Sequence, residues 1–129
     1  MIDKRRTKHI LSRIAHWSAR LGLQRWDVSV VHVAAPVMDG GELARIEVSG
    51  STMSAIVVIA TQQTEAMLDE SVRHEMLHLL MHDVEVVARV AIGRLGEEAA
   101  GIMRESLDRE LERVVISLER AIITKEVIT

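Results

Sequence analysis

The segment VRHEMLHLLM, residues 72–81, is aliphatic apart from one arginine, two histidines and one glutamate. Apolar residues occupy nearly every side of a helix here, so we predict a buried helix that begins after an N-cap at Thr64. A histidine or a glutamate inside an apolar helix lowers stability unless it has a partner. His74, Glu75 and His78 are therefore the residues whose presence in this segment needs a physical reason.

The spacing of these three residues supplies one such reason. His74 and His78 are four residues apart, so on a helix their side chains project from one face about one turn apart. Both imidazoles can then reach a single tetrahedral zinc at roughly 2.0–2.1 Å. Glu75 lies about 100° round the helix, where its carboxylate can take a proton from a zinc-activated water. The pattern predicts a hydrolytic zinc site. The alternative is a pair of core histidines bonded to backbone, with Glu75 paired to Arg73 or another base.

The third ligand of such a site is left open by the spacing. His82 follows His74 by eight residues, about 12 Å along a continuous helix, which is too far for both to bind one ion. We expect His82 at the helix end near the cleft, as a donor to the transition state. A carboxylate of the C-terminal helix is the better ligand candidate, and the residues considered are Glu105, Asp108, Glu110, Glu112 and Glu119. For each of them, spacing alone favours a solvated acidic edge.

The rest of the sequence predicts an α+β fold, built as one domain over residues 1–129. Residues 3–22 follow the spacing of an amphipathic helix, which ends at Gly22. Segments with strand patterns follow at residues 26–33, 43–48 and 55–60. A turn is predicted at Pro36 and Asp39-Gly40-Gly41, so we expect an antiparallel meander of about three strands.

Two further patterns concern the buried strand and the C-terminal helices. Residues 55–60 form a continuous apolar run, which indicates a strand covered on both faces. The helix of His74 is predicted to end at about His82, and Gly93 and Gly96 divide the remaining helical sequence into a short helix and a long one. The long helix carries an apolar stripe of Met103, Leu107, Leu111, Val114, Leu118 and Ile122.

The composition excludes several classes of function. Hydrophobic residues make up 48% and charged residues 27%, which is typical of a globular protein. There is no cysteine, so disulfides, cysteine zinc knuckles and thiol catalysis are excluded. The chain has two tryptophans, no phenylalanine, no tyrosine and a net charge of −3, which together disfavour nucleic-acid binding. No signal-peptide pattern and no apolar run of membrane-spanning length is visible, so we expect a cytoplasmic protein.

The helical motif at residues 71–80 sits in a recognisable order of segments. A Trp-Asp-Val-Ser-Val strand at residues 26–30 precedes it, and ERVVISL at residues 112–118 follows it. This order resembles small phage- and prophage-encoded zinc metallopeptidases, which are similar to minimal gluzincins and more loosely to ImmA/IrrE-type and SprT-like peptidases. The chain departs from the ImmA/IrrE pattern at Val115 and Ile116, and no histidine follows His82 as in the SprT-like pattern.

The resemblance implies a site and a substrate. It implies a glutamate ligand from a helix downstream of the motif, and Glu112 fits that position. It also implies an endopeptidase that acts on a protein or peptide in the cytoplasm. An exposed edge strand beside the active-site helix would pair with the extended substrate, and the strands at residues 43–48 and 55–60 are the candidates.

Two more classes of function also fit the sequence. One is a non-catalytic module, held by a metal or metal-free, that docks on another protein through the long helix. The absence of tyrosine, which many zinc peptidases use as an oxyanion donor, favours this module, whereas the intact Glu75 favours catalysis. A third class is a metal-dependent hydrolase of a non-peptide substrate.

Overall fold

The structure, a computed structural model, describes residues 4–33, 43–60 and 63–128, with side chains up to Ile123. In this part of the chain the elements are α1 (Lys4–Leu21), β1 (Asp27–Val33), β2 (Ala44–Ser49), β3 (Ser54–Ala60), α2 (Glu65–Leu80), α3 (His82–Ile92) and α4 (Glu97–Ile128). The order confirms the predicted α+β class with an N-terminal helix, strands and C-terminal helices. The predicted turn at Pro36 and Asp39-Gly40-Gly41 lies outside the described residues.

The chain divides into two compact units, Met1–Leu79 and Leu80–Thr129. The first unit holds α1, the sheet and nearly all of α2, and the second holds α3 and α4. The single domain expected from chain length stays a prediction.

The sheet of the first unit has the order β1-β3-β2. β2 pairs with β3 in antiparallel fashion, as predicted, but β1 pairs with β3 in parallel. The predicted antiparallel meander is therefore wrong for one pairing, because β3 lies between the two strands that precede it in sequence. Its apolar run is buried at Ala55 and at residues 57–60, which confirms the prediction of a strand covered on both faces.

Helix α1 packs on β1 through an apolar face. Ile10, Ile14 and Trp17 recur at helical spacing and are all buried. The helix ends at Gly22, whose φ of 71° is in the left-handed region that glycine adopts without a steric penalty. The backbone N–H of Leu23 then donates to the carbonyl of Ser18 at 2.8 Å, the bond of a Schellman motif.

Gln63 joins the end of the sheet to α2. Its side-chain Nε2 donates to the carbonyl oxygens of Ala60 at 2.9 Å and Leu43 at 3.0 Å. Its Oε1 accepts from the hydroxyl of Ser71 at 2.8 Å, and its backbone carbonyl accepts from Arg6. Gln63 is itself buried, so each polar group of its side chain is satisfied where water is excluded.

A second polar group joins α1 to α2. Asp69 accepts hydrogen bonds from the guanidinium of Arg13 and, at 3.4 Å, from the indole Nε1 of Trp17. The guanidinium of Arg73 lies 5.7 Å from the Trp17 ring centroid, within the range of a cation–π contact, and 3.8 Å from Asp69. These contacts fix the rotation of α2, because Asp69 and Arg73 lie one turn apart on the same side of that helix.

In the second unit, α3 and α4 are in contact. Arg89 joins them by donating to Glu85 Oε1 at 2.8 Å within α3 and to Asp108 Oδ1 at 2.6 Å on α4. The break between the two helices contains Gly93 and Gly96, as predicted. None of the described helices is long and apolar enough to cross a membrane.

Helix α2 ends at Leu80, two residues before the predicted end, and α3 begins at His82. Met81 separates them with φ −85° and ψ −4°, so the helical bonding is interrupted without glycine or proline. The sequence carries no local signal for this break.

Candidate metal centre

Helix α2 begins as the sequence predicts. The hydroxyl of Thr64 accepts a hydrogen bond from the backbone N–H of Met67 at 3.2 Å, which confirms Thr64 as the N-cap. Glu65 is the first helical residue, where a negative charge is favoured by the helix dipole. Past its first turn the helix is buried on most sides, through Leu68, Val72, Met76, Leu77 and Leu79. The prediction of a buried helix is confirmed.

The two histidines lie on the face of α2 that is less buried than the rest. The ring centroids of His74 and His78 are 5.0 Å apart, and the ring planes make an angle of 64°. Both rings are half-buried, while Glu75 is only 7% exposed. The two adjacent imidazoles have partial access to solvent, and the Glu75 carboxylate one residue away is shielded from most of the water.

The predicted zinc ligands are divided between the two units. His74 and His78 lie on α2 in the first unit, and Glu112 lies exposed on α4 in the second. The place of Glu112 in a shared site therefore stays a prediction. Two imidazoles and a carboxylate form a donor set that suits zinc. Such groups also occur in proteins without a metal, so zinc itself stays a prediction.

Two of the five acidic residues considered as ligands on α4 are engaged elsewhere on the surface. Asp108 accepts from Arg89 at 2.6 Å. Glu110 accepts from Nε of Arg113, three residues further along α4, at 2.7 Å. Each of these pairs neutralises the carboxylate, which explains its place on α4 without a metal.

The remaining two acidic residues, Glu105 and Glu119, differ in burial. Glu105 is exposed, and Glu119 is buried on the same line of α4 as Leu111 and Val115. The predicted apolar stripe shares Leu111 with this line. Met103 of that stripe is exposed, and Val114 and Leu118 are half-buried.

His82 is the first residue of α3 and is half-buried. Its position after the end of α2 agrees with the expectation of a residue at a helix end. The role of transition-state donor stays a prediction.

The sheet topology distinguishes the two edge-strand candidates. β3 is paired on both sides, so the strand at residues 55–60 cannot receive a substrate by backbone pairing. β2 is paired on one side only within the described sheet, and its outward side chains are exposed at Arg45, Glu47 and Ser49. The candidate at residues 43–48 therefore keeps a free edge.

Sequence reasoning missed the residues that position α2. Gln63 and Asp69 carry the bonds that join this helix to the sheet and to α1. Neither belongs to a local motif, because their partners lie far away in sequence. The one available signal is a polar residue directly before the N-cap, which is too common to single out Gln63.

Comparisons of the chain with protein-family models, with curated proteins and with solved structures gave no match. The resemblance to phage-type zinc metallopeptidases therefore rests on the sequence motifs and stays a prediction.

Proposed function

We propose that this protein is a zinc-dependent endopeptidase that acts on a protein or peptide in the cytoplasm. His74, His78 and Glu112 are the proposed zinc ligands, and Glu75 is the proposed general base. The observation that supports this most directly is the pair of half-buried imidazoles, with ring centroids 5.0 Å apart, on a helix that is otherwise mostly aliphatic. Their spacing of four residues places both rings on one face of α2, where a single zinc ion can bind both.

The chemistry follows from the charges and protons of the proposed residues. Zinc, when bound, lowers the pKa of a water ligand to about 7 and polarises a carbonyl group. His74 and His78 contribute no charge as neutral ligands, and Glu112 contributes one negative charge, so the site keeps a net positive charge for the carbonyl oxygen. Glu75 accepts the proton of the attacking water and passes it to the nitrogen of the leaving amine. His82 is proposed as a hydrogen-bond donor to the developing oxyanion.

The free edge of β2 is the proposed site for the substrate backbone. An edge strand has unpaired N–H and C=O groups that bind any extended chain in register, with little dependence on its sequence. This agrees with a peptide substrate better than with a small non-peptide ester or amide.

The experiment that tests the site is zinc analysis of protein purified without chelator. We expect near-stoichiometric zinc in the wild type, loss of zinc in His74→Ala and in His78→Ala, and weaker binding in Glu112→Gln. His16→Ala is the matched histidine control, because His16 lies on α1 against the edge of the Trp17 ring. Glu110→Gln is the matched carboxylate control on α4.

Two outcomes would contradict the assignment. A folded wild-type protein that takes up no zinc, even when zinc is added, would leave no basis for a metallopeptidase. Equal zinc loss in Glu112→Gln and Glu110→Gln would remove Glu112 as a specific ligand.

A second candidate function is a non-catalytic module that docks on another protein. It is favoured by large apolar side chains on the surface of α4, where Ile102, Met103, Ile116 and Ile123 are all exposed. A peptidase assay with an unstructured protein such as casein separates the two candidates. Zinc binding without any cleavage, in wild type and Glu75→Gln alike, would favour the module.

A further inference from the structure

Helix α3 has two faces with different partners. One face contacts α4, with Ile92 buried and Arg89 bonded to Asp108 and Glu85. The hydrogen bond from Arg89 to Asp108, and then that to Glu85, raises the pKa of Arg89 above its usual value. These contacts fix which side of α3 is turned away from α4.

The other face of α3 is apolar and exposed. It carries Val84, Val86, Val87 and Val90, which are 44–71% exposed. Valine is a weaker helix former than most residues, because its branched side chain loses rotamer freedom in a helix. Four exposed valines on one eleven-residue helix therefore gain nothing from the helix itself, and they are typical of a surface that is covered by a partner.

Two charges frame this valine face. Asp83 lies in the first turn of α3 and Arg94 lies two residues past its last residue, so the two charges stand at opposite ends of the helix, eleven residues or about 16 Å apart. Both are exposed, and neither forms an ion pair with another described residue. The acidic end and the basic end make the face electrostatically complementary to a reversed copy of itself.

We propose that a second copy of this chain docks on the valine face, with the two α3 helices antiparallel about a two-fold axis. The axis passes midway between the positions of Ala88 and Arg89 along the helix. Asp83 and Arg94 are equally far from this midpoint, so Asp83 faces the partner's Arg94. Val87 and Val90 are also equally far from it, so Val87 faces the partner's Val90.

A second copy fits this face better than an unrelated protein for a reason of symmetry. In a two-fold interface the same surface of both copies is in contact, so the surface must be complementary to itself. On the valine face, apolar side chains would meet apolar side chains, and Asp83 would meet an arginine of opposite charge. A heterologous partner would require no such relation between Asp83 and Arg94.

The expected dimer is weak and depends on concentration. A helix pair about 16 Å long buries less than a standard interface of about 1,200–2,000 Å². We therefore expect a dissociation constant on the order of micromolar or weaker. The proposal does not depend on the peptidase activity. It uses no proposed zinc ligand, and it does not use His82, the proposed catalytic residue at the start of α3.

Sedimentation velocity over a wide range of concentration tests the proposal. We expect the wild-type mass to rise from 14.4 kDa towards twice that value. The double variant Val87→Asp with Val90→Asp should stay monomeric with an unchanged far-ultraviolet circular dichroism spectrum. Asp83→Arg and Arg94→Asp should each weaken the dimer by about tenfold or more, because each places like charges together at both ends of the pair.

The double reversal Asp83→Arg with Arg94→Asp is the decisive variant. It restores opposite charges across the axis, so the dimer should return to near wild-type strength. The two charges also complement the helix dipole, and on that account alone the double reversal would be the worst of the variants. Glu70→Arg and Arg25→Asp are the controls, since both change charge at exposed positions outside α3.

Three results would overturn the proposal. The wild type could stay monomeric at every concentration, which would assign the valine face to another occupant. A dimer could form that is unaffected by the Val87 and Val90 variant, which would place the interface elsewhere. The double reversal could associate no better than the single ones, which would exclude the antiparallel register.

Discussion

Helices α2 and α3 are consecutive in sequence and opposite in character. α2 is largely buried and carries ionisable side chains at His74, Glu75 and His78, where a purely structural helix would be aliphatic. α3 is largely exposed and carries valines, such as Val87, where a purely structural helix would be polar.

In both helices, the residues that suggest a function are those whose polarity differs from that of their surroundings. Two imidazoles on one face of a buried helix can bind one metal ion, and we propose zinc for α2. An apolar group on a solvated helix requires a covering surface, and we propose a second copy for α3. One helix has polar residues at buried positions and the other has apolar residues at exposed positions, so the same kind of substitution should have different effects in the two helices.

The largest predicted effect is at Glu75. Glu75→Gln keeps the shape of the side chain but removes the base, so peptidase activity should fall by about 10²–10⁴-fold. Cleavage of casein followed by mass spectrometry measures this, with zinc content measured on the same samples. Glu70→Gln, an exposed change one and a half turns earlier on α2, is the control and should leave activity unchanged. Full activity in Glu75→Gln would remove the general base from the account.

The next effect compares apolar truncation on the two helices. Met76→Ala leaves a cavity at a fully buried position, so it should lower the free energy of unfolding by about 2–5 kcal/mol. Val87→Ala removes an exposed side chain and should change it by less than about 0.5 kcal/mol. Urea unfolding at a concentration low enough to keep the protein monomeric measures both. Equal losses in the two variants would contradict the assignment of one helix as buried and the other as exposed.

A smaller effect is expected at the start of α2. Thr64→Ala removes the oxygen that accepts from the Met67 backbone N–H, so it should lower the free energy of unfolding by about 1 kcal/mol. Thr64→Ser retains the cap and should be close to wild type. If urea unfolding gave the same loss for alanine and serine, the cap would have no measurable role.

The smallest effect concerns the ion pair that joins α3 to α4. Arg89 and Asp108 are exposed, so Asp108→Asn should lower the free energy of unfolding by about 0–1 kcal/mol. Added salt should reduce the difference further, because the pair is accessible to screening ions. A loss of several kcal/mol that salt does not change would show that this pair is shielded from solvent.

Local patterns predict most of the elements. Gly22, with φ 71°, directly follows the last residue of α1. Gly93 directly follows the last residue of α3, although its own backbone stays helical, with φ −61° and ψ −15°. The predicted end of α2 lies two residues beyond Leu80, because Met81 carries no such signal. The parallel pairing of β1 with β3 escapes prediction for a different reason. Strand pairing depends on contacts between distant segments, and the short turn that pairs β2 with β3 says nothing about β1.

The candidate site also has one part that local patterns predict and one part that they do not. The sequence predicts the relative positions of His74, Glu75 and His78, because all three lie within about one helical turn. Glu112 follows His78 by more than thirty residues, and several acidic residues near it have similar spacing. Only the resemblance to known peptidases selects it, because spacing along one helix does not tell which carboxylate faces another helix. The role of the buried Gln63 could not be predicted, because its partners include backbone carbonyls, which no sequence pattern identifies.

The measurement that tests the central claim most directly is the X-ray absorption spectrum of the zinc-loaded protein at the zinc edge. A catalytic site predicts two imidazoles, one carboxylate and one water in the first coordination shell. In Glu112→Gln the carboxylate contribution should be lost while both imidazoles remain. A shell of four protein ligands, or a spectrum without imidazole scattering, would contradict the proposal that α2 carries a hydrolytic zinc site.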